Sequence, residues 1–385
     1  MKLLVAILIA ACIYTIVRTV YHKHWEDGLE IVVDFADSVV REGDSSTLAC
    51  TITNGKWLPL PVLVVKFAIT RTFIFSNMSG SAVTDQYYRN EYFTMKSYER
   101  LIRSYPFVCS KRGLYGMKDM DIICRDLFLS SEMYAERMHE ARLAVLPRRI
   151  PMEHIPDEIH KLMGDIESSL RFQEDPFAFS MIREYQPYDS MHCVNWKSSA
   201  RMDKLMVNTF NTTLMREVVI IMNLTSNSNI RVEQMQEYII RIAATLSAGL
   251  INGNVPVALV SNGRDLKSDI PVEIAAGADS KHIGTIEYAL ARIDLNKQID
   301  SINDCLDRFM TQGQGGLKDN MDKCREYILI SNERKDYITE KIISARNMGI
   351  HITCVLPLFK EEVSYVNTAE YIAATDSIRW VTDNE

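Results

Sequence analysis

His192 and Cys193 are the two neighbours in this sequence whose side chains could form a thiol–imidazole catalytic pair. A nucleophilic cysteine needs a base within hydrogen-bonding distance. Adjacent residues of a strand point to opposite faces, so this pair makes a poor dyad. The glycine-rich run from Gln312 to Lys318 lacks the G-x-x-x-x-G-K-[ST] spacing of a phosphate-binding loop and is interpreted as a loop. Neither G-x-S-x-G nor H-E-x-x-H occurs, and the sequence predicts a protein that is not an enzyme.

The cysteines offer no zinc site either, because no C-x-x-C pair and no second Cys or His at zinc spacing accompanies them. The eight cysteines are Cys12, Cys50, Cys109, Cys124, Cys193, Cys305, Cys324 and Cys354. Their even number leaves disulfides as an alternative. Several lie in apolar, strand-like contexts, and buried free thiols in a reducing compartment are the preferred interpretation.

The composition indicates a globular body that does not bind nucleic acid. The chain has 385 residues, of which 47% are hydrophobic, and this is enough for two domains with their own cores. The formal net charge is -7 and no long basic run occurs. A nucleic-acid-binding protein usually carries a basic face.

The first 24 residues predict a membrane anchor. Residues 3–17 contain no charge, proline or glycine, and extension to Tyr21 gives about 20 residues, or about 30 Å of helix. A cleaved signal peptide and a lipoprotein site ending at Cys12 are the alternatives. Both would leave an apolar run directly after the cleavage point, so a retained single-pass anchor in the cell membrane is preferred. Charges on the two sides hardly differ. The cysteines favour a cytoplasmic body.

The remaining elements fall into an all-β part and an α/β part. The predicted strands of the first part are 29–35, 47–53, 62–70, 101–108 and 114–124, and this spacing favours a β-sandwich. In the second part, the predicted strands 218–222, 255–260, 327–330 and 350–356 alternate with the predicted helices 232–250, 286–295 and 337–348. This alternation predicts a Rossmann-type parallel sheet with helices on both faces. The loops 223–229, 261–265 and 331–335 then lie at the strand ends where such sheets bind ligands.

The segment between these parts carries a dense run of charged and aromatic residues. The candidate partner-binding residues are Arg183, Glu184, Tyr185, Pro187, Asp189, Trp196, Lys197 and Arg201. One interpretation is an ion-pair network around a packed Trp196 that holds a loop in place, and this structural role is preferred over catalysis. The other is a surface that docks a partner, since tryptophan and arginine dominate many interfaces.

This segment resembles the signature of the Domain of Unknown Function 58 family, R-E-Y-x-P-G-D-D-x-R followed by I-D-W-K-x-S-A-R and L-x-V. The chain departs from that signature at Tyr188, Ser190, His192 and Asn195, where the family has Gly, Asp, Arg and Asp. The resemblance implies an α/β domain similar to von Willebrand factor A domains, an N-terminal membrane segment, and a gene often found beside a MoxR-type AAA+ ATPase. The implied domains are a 1–24 anchor, a 25–147 β-sandwich, a 148–215 connector with the signature, and a 216–385 von Willebrand factor A-like domain.

The same resemblance implies where a metal would bind. Von Willebrand factor A domains hold Mg²⁺ through D-x-S-x-S after the first strand and an acid after a later strand. The matching positions here are Asn223, Thr225, Asn227 and Asn332. Mg²⁺ prefers anionic oxygens, so this degenerate site predicts no cofactor, or at most weak magnesium binding. Asp265 and Glu333 are the acids that could substitute.

Together these observations predict a membrane-anchored binding or adaptor protein with a protein partner, for which the resemblance suggests a MoxR-type ATPase. The alternatives are a structural protein of the cell envelope that uses the sandwich for contacts, and an enzyme whose site in the strand-end loops follows no known motif.

Overall fold

The computed structural model describes residues 2–75, 81–83, 86–171, 179–186, 194–210, 217–225, 231–303, 306–307, 325–364 and 366–382. The chain divides into two compact units, Met1–Arg148 and Arg149–Glu385. Residues 149–171, which the sequence analysis assigned to a connector, therefore belong to the second unit. The finer domain boundaries at 24, 147 and 215 stay predictions.

The first unit begins with the predicted apolar helix, α1 (Lys2–His24). The helix is long and apolar enough to cross a membrane. Its C-terminal part packs one face on the unit's core, where Tyr21 and Trp25 are buried and Val17 and Val20 are partly buried. The spacing of these four residues is that of one helical stripe.

The rest of the first unit is β-structure. The described strands are β1 (Leu29–Phe35), β2 (Val39–Arg41), β3 (Ser45–Asn54), β4 (Leu60–Thr70), β5 (Phe73–Phe75), β6 (Ser81–Val83), β7 (Gln86–Met95), β8 (Glu99–Cys109), β9 (Gly113–Arg125) and β10 (Glu132–Leu146). They form two sheets with the orders β1-β3-β8-β5 and β2-β10-β9-β4-β7-β6. Alternate residues of β3 are buried, and both sheets contribute side chains to one hydrophobic core. This sandwich-like arrangement agrees with the predicted all-β part.

The second unit contains the predicted α/β part. Its elements are α2 (Asp157–Arg171), β11 (Phe179–Glu184), α3 (Trp196–Met202), β12 (Met206–Phe210), β13 (Glu217–Asn223), α4 (Val232–Asn252), β14 (Val257–Arg264), β15 (Pro271–Gly277), α5 (Ser280–Ala291), β16 (Arg325–Ser331), α6 (Asp336–Asn347), β17 (His351–Phe359), α7 (Val366–Thr375) and β18 (Ile378–Thr382). Strands β11 and β12 pair as a separate two-stranded sheet.

The main sheet has the order β15-β14-β13-β16-β17-β18, and all neighbours are parallel except the edge strand β15. Alternate residues of β13 enter different cores. Ile220 packs with α4 and α5, whereas Ile221 packs with Ile338 and Ile342 of α6. Helices therefore cover both faces, and the continuous apolar run of β13 is buried on both sides.

Two predicted elements of the second unit differ from the observed ones. The helix predicted over 286–295 is α5, which starts at Ser280 and ends at Ala291. The chain turns there because Ile293 bridges to Asp265 at the end of β14. The loop predicted over 261–265 is mostly strand, because β14 continues to Arg264. Its polar residues therefore lie inside the sheet.

Candidate functional site

The site lies where the order of the main sheet reverses. From β13 the chain passes through α4 to β14 on one side, whereas β16, the other neighbour of β13, starts the opposite half of the sheet. Asn223 at the end of β13 is in register with Ser331 at the end of β16. Parallel sheets of this type bind ligands at such a switch point, outside the carboxyl ends of the strands.

A buried amide occupies this point. The Asn223 side chain is fully buried, and its Nδ2 donates to Ser331 Oγ at 3.0 Å and to Glu333 Oε2 at 2.9 Å. Its Oδ1 accepts from the Thr225 backbone N–H at 3.1 Å and from Asn262 Nδ2 at 2.8 Å. Every hydrogen-bonding group of this amide is satisfied, as a buried polar group requires.

Asn262 extends the network to the neighbouring strand β14. Its Nδ2 also lies 3.2 Å from Thr225 Oγ1 and 3.0 Å from the carbonyl oxygen of Asp300, and its Oδ1 accepts from the Leu224 backbone N–H at 2.8 Å. Asn262 is fully buried. The two asparagines thus tie together the ends of three neighbouring strands.

The network contains one buried acid, Glu333. Its side chain is 1% exposed, and Lys335 Nζ lies 2.7 Å from Oε1. Burial alone would raise the pKa of Glu333, but hydrogen bonds from Lys335, Asn223 and Tyr337 outweigh burial and lower the pKa below its ordinary value. Glu333 is therefore an ionised carboxylate with the Asn223 amide at Oε2 and the Lys335 ammonium at Oε1.

The four positions of the predicted degenerate metal site do not form one cluster. Asn223 and Thr225 meet as described, and Asn227 lies outside the described residues. Asn332 is buried but turns to the next strand, where its Nδ2 donates to the carbonyl oxygen of Pro357 at 2.7 Å. Consecutive residues at a strand end face opposite ways, which separates Asn332 from the network of Ser331 and Glu333.

Sequence reasoning missed Asn262 as a partner in this network. A polar residue within a buried run, six residues into the strand β14, is the signal that could have found it. Ser331 was included only in the strand-end loop 331–335, whereas Glu333 was named as an acid that could substitute at the metal site. In the described part of the chain, no three His, Cys, Asp or Glu side chains come together as a metal site would require.

A second charged cluster follows β14. The Asp265 carboxylate accepts hydrogen bonds from the Ser268 backbone N–H at 2.8 Å, the Lys267 backbone N–H at 3.0 Å and Arg292 Nη2 at 2.5 Å. Burial would raise the pKa of Asp265, but these hydrogen bonds outweigh burial and lower it to about 2. Asp265 thus fixes the strand-end loop to α5, and its oxygens are already used.

We expect Asp265→Asn to lower the free energy of unfolding by about 2 kcal/mol at pH 7, because the folded-state pKa lies below the ordinary value of 3.8. A lowered pKa of an acid stabilises the fold above the unfolded-state value and loses that effect as the pH falls from 3.8 towards 2. The difference between the two proteins should therefore shrink as the pH falls from about 4 to about 2, as measured by urea denaturation. Asp269→Asn, at an exposed side chain, is the control and should change much less. A pH-independent difference would contradict this account.

The signature segment forms β11, α3 and β12. Asn195 caps α3 by accepting the Ser198 backbone N–H at 3.0 Å on its Oδ1. Asparagine caps helices as well as aspartate does, so the departure from the family's Asp keeps this role. The Ser199 hydroxyl accepts the Met206 backbone N–H at 2.8 Å and links α3 to β12.

The structure corrects the predicted role of Trp196 as a packed body. The Trp196 side chain is 64% exposed at the first position of α3. Lys197 and Arg201 of the same helix are also exposed. Glu184, at the end of β11, lies 3.3 Å from Lys204 Nζ in an exposed ion pair.

The remaining signature residues lie in or near the same hairpin. Arg183 Nη1 donates to the carbonyl oxygen of Glu184 at 3.3 Å. The backbone N–H of Tyr185 donates to the carbonyl oxygen of Leu205 at 2.8 Å. Pro187 and Asp189 lie outside the described residues, and the partners proposed for Asp189 stay a prediction.

Comparison with known proteins gives a family match for this segment. Residues 181–311 match the family model described as "Protein of unknown function DUF58". No curated protein matches the chain.

Solved structures similar to the chain include the CARDB domain of the PF1109 protein from Pyrococcus furiosus, with 14% identity, 31% of this chain and 90% of that chain covered, and a TM-score of 0.21. A cohesin module of a family 33 glycoside hydrolase from Clostridium perfringens has 6% identity. The match covers 30% of this chain and 96% of that chain, with a TM-score of 0.22. The ASH/PapD-like domain of human CEP192 has 11% identity. The match covers 30% of this chain and 87% of that chain, with a TM-score of 0.21. At these TM-scores, neither fold nor function transfers to this chain.

Proposed function

From the match of residues 181–311 to the DUF58 family model, we propose a membrane-anchored adaptor that binds a protein partner through its signature segment and catalyses no reaction. The observation that carries the proposal is the exposure of Trp196, a residue of the family signature that lies outside the described core of its own unit. A large aromatic side chain held at the surface by a capped helix is typical of an interaction site.

The anchor in this proposal is α1. Its 23 residues give a length of about 35 Å, which exceeds the roughly 30 Å of a bilayer core. The side chains of Leu3, Leu4, Ile7 and Leu8 are exposed, so the first half of α1 offers apolar surface that water would disfavour. A lipid bilayer is the environment that would bury this apolar surface.

The docking surface that we propose consists of Trp196, Lys197, Arg201, Met202 and Leu205. Trp196, Met202 and Leu205 are large exposed hydrophobic side chains within ten residues. Lys197 and Arg201 add positive charge. Interfaces combine an apolar anchor with a charged rim, so the matching partner surface is an apolar pocket bordered by acidic groups.

The strand order supports a von Willebrand factor A-like second unit without a metal-dependent function. Numbered from β13 along the chain, the main sheet has the order 3-2-1-4-5-6 of doubly wound sheets. At its switch point Asn223 Nδ2 donates to Ser331 and Glu333, and a cation there would have to displace this N–H donor. We propose that the amide network replaces a bound ion and holds the strand ends rigid for docking.

A MoxR-type AAA+ ATPase is the partner that the family resemblance favours. Such an enzyme consumes ATP, which the cytoplasm supplies, so the proposal requires the second unit to face the cytoplasm. Cys50, Cys109, Cys124 and Cys354, four cysteines among the described residues, do not report this orientation, because they are free but buried. Burial raises the pKa of Cys354 to about 12, which further suppresses its reaction with thiol reagents.

We expect Trp196→Ala to weaken binding of the purified ATPase at least tenfold, because a central aromatic anchor contributes about 2 kcal/mol or more to an interface. The full chain is reconstituted in lipid nanodiscs and the ATPase is titrated with and without ATP. Tyr92→Ala is the matched control, since Tyr92 is 65% exposed but belongs to the first unit.

Three outcomes would contradict the proposal in different ways. Absence of binding by the unaltered chain would reject the ATPase as partner. Equal binding by the unaltered chain and Trp196→Ala would reject the docking surface. A large loss of thermal stability in Trp196→Ala would return Trp196 to a structural role. Crosslinking of α3 to the ATPase in intact cells tests the cytoplasmic orientation as well.

A further inference from the structure

One end of the first unit gathers four loops. The loops 26–28, 55–59, 96–98 and 126–131 lie at the same end because strand pairing aligns Leu29 with Asn54, Asn54 with Glu99, Leu60 with Met95 and Val62 with Arg125. Helix α1 reaches the same end, where the Tyr21 hydroxyl donates to the carbonyl oxygen of Pro59 at 2.9 Å. The opposite end of the strands carries the turns around residues 36–38 and 71–72.

The loops at this end expose large apolar and aromatic side chains. We call the set Trp57, Tyr98, Leu127, Phe128 and Leu129 the anchor-side surface. Each of the five is between 49% and 71% exposed. Three of them are consecutive at the tip of the β9–β10 loop, which contains no charged residue between Asp126 and Glu132. A continuous exposed apolar tip marks an interaction site on a soluble surface.

The tip is held in this conformation by a buried acid. Asp126 is fully buried, and its carboxylate accepts the Ser130 backbone N–H at 2.7 Å and the hydroxyls of Ser130 and Ser131 at 2.7 and 2.9 Å. Leu129 has a φ of +56°, a left-handed conformation that a leucine adopts at a cost. The loop therefore keeps an unfavourable backbone conformation at Leu129 while its apolar side chains are exposed.

The tip also contacts α1 well inside the helix. The Phe128 ring lies 5.6 Å from the Tyr14 ring, and the Tyr14 hydroxyl donates to Ser130 Oγ at 3.0 Å. The first unit therefore flanks α1 from Tyr14 to its end. The free part, residues 2–13, is about 18 Å long, whereas a bilayer core is roughly 30 Å thick. If α1 crosses a membrane, lipid must also reach the part of the helix that Phe128 flanks.

We propose that the anchor-side surface inserts into the boundary between lipid headgroups and acyl chains beside α1. This inference rests on the proposed membrane anchoring. Leu127, Phe128 and Leu129 enter the acyl region, and Trp57 and Tyr98 lie at the headgroup level that tryptophan and tyrosine favour. The occupant is a lipid bilayer because the surface is continuous with a helix of membrane-spanning length. The first unit then contacts the membrane at two places, through α1 and through the anchor-side surface.

The test places a photocrosslinking amino acid at single positions of the full chain in nanodiscs of phosphatidylcholine and phosphatidylglycerol. Phe128→p-benzoylphenylalanine reports on the tip. The same replacement at Leu8, in the free part of α1, reports on anchoring. Ile74, which is 51% exposed in β5 near the opposite end, is the matched control. We expect lipid crosslinks at positions 8 and 128 and at least tenfold fewer at position 74.

The outcomes separate this inference from the anchoring on which it rests. Crosslinks at position 8 without crosslinks at 128 would reject the inserted surface and keep the anchor, whereas no crosslink at position 8 would reject the anchor. Crosslinks from 128 to a second protein chain, or equal lipid crosslinks at 74, would also overturn the inference. As a measurement that leaves the tip unaltered, brominated phosphatidylcholine should quench the unaltered chain more than Trp57→Phe; equal quenching would count against insertion.

Discussion

Asn223→Asp is expected to lower the free energy of unfolding by about 3–5 kcal/mol at pH 7, as an uncompensated buried charge does. The replaced amide nitrogen lies 2.9 Å from Glu333 Oε2 and 3.0 Å from Ser331 Oγ. A carboxylate oxygen in its place removes two donated hydrogen bonds and faces an ionised, buried acid. Rotation of the group does not help, because the two carboxylate oxygens are equivalent, and the other one already accepts from Asn262 and from the Thr225 backbone N–H.

The same substitution is expected to make the stability depend on magnesium. The two carboxylates, with the hydroxyls of Ser331 and Thr225 close by, supply the hard oxygen ligands that Mg²⁺ prefers. Millimolar Mg²⁺ should then raise the melting temperature of Asn223→Asp, because a cation that binds only the folded state stabilises it by mass action. The unaltered chain should show no comparable shift, since the Asn223 amide already satisfies Glu333.

The measurement is urea denaturation and thermal unfolding in EDTA and in MgCl₂. Asn223→Ala is the control, because it also loses the hydrogen bonds of Asn223 but adds no carboxylate, and it should not respond to Mg²⁺. A shift of the unaltered chain as large as that of Asn223→Asp would show that the native network binds the ion. Full stability of Asn223→Asp in EDTA would contradict the buried network itself.

The pattern of hydrophobic residues predicted strands with a continuous or alternating apolar pattern and missed β10, whose pattern charged residues interrupt. Residues 218–222 form the uninterrupted apolar run of β13, and such a run by itself predicts a strand buried on both faces. Strand β10 was not predicted, because Glu132, Glu136, Arg137 and Arg142 interrupt its apolar residues. Those four side chains are exposed, and only the pairing with β9 identifies the segment as a strand.

The site was predictable in position but not in composition. The alternation of strands and helices and the rule for strand ends located the loop 223–229, and the resemblance to von Willebrand factor A domains named Asn223 and Thr225 within it. Whether Glu333 or Asn332 faces Asn223 depends on the pleat at the end of β16, and a shift of one residue reverses the answer. Asn262 was missed because the sequence does not show that β14 continues through it.

Tryptophan exposure was the property that the sequence could least predict. Trp196 was expected to pack and is exposed, whereas Trp380, which drew no attention, is fully buried in β18. Trp196 begins a seven-residue helix, too short to bury its own side chains. Trp380 is in register with Pro357 of β17 and belongs to the same core as α4. Burial here is decided by the sheet order, which joins distant segments, and not by local sequence.

Trp380→Ala is expected to cost about 3–5 kcal/mol of folding free energy, because removal of a buried indole leaves a cavity. Trp196→Ala should change the stability by less than about 0.5 kcal/mol, as a surface substitution does. Trp380→Phe separates the cavity from the lost N–H: among the described residues, the buried Trp380 Nε1 has no hydrogen-bond partner, so this variant loses volume but no hydrogen bond. We therefore expect Trp380→Phe to cost less than half as much as Trp380→Ala.

Circular dichroism during urea denaturation of the full chain measures all three variants without relying on tryptophan fluorescence. The comparison bears directly on function, because the proposed docking surface needs Trp196 to be free for a partner. Equal destabilisation by Trp196→Ala and Trp380→Ala would mean that Trp196 packs within the protein, and the docking proposal would then lose the observation that supports it. A large loss at Trp380 alone would leave Trp196 as a side chain that the fold holds at the surface and does not use for its own stability.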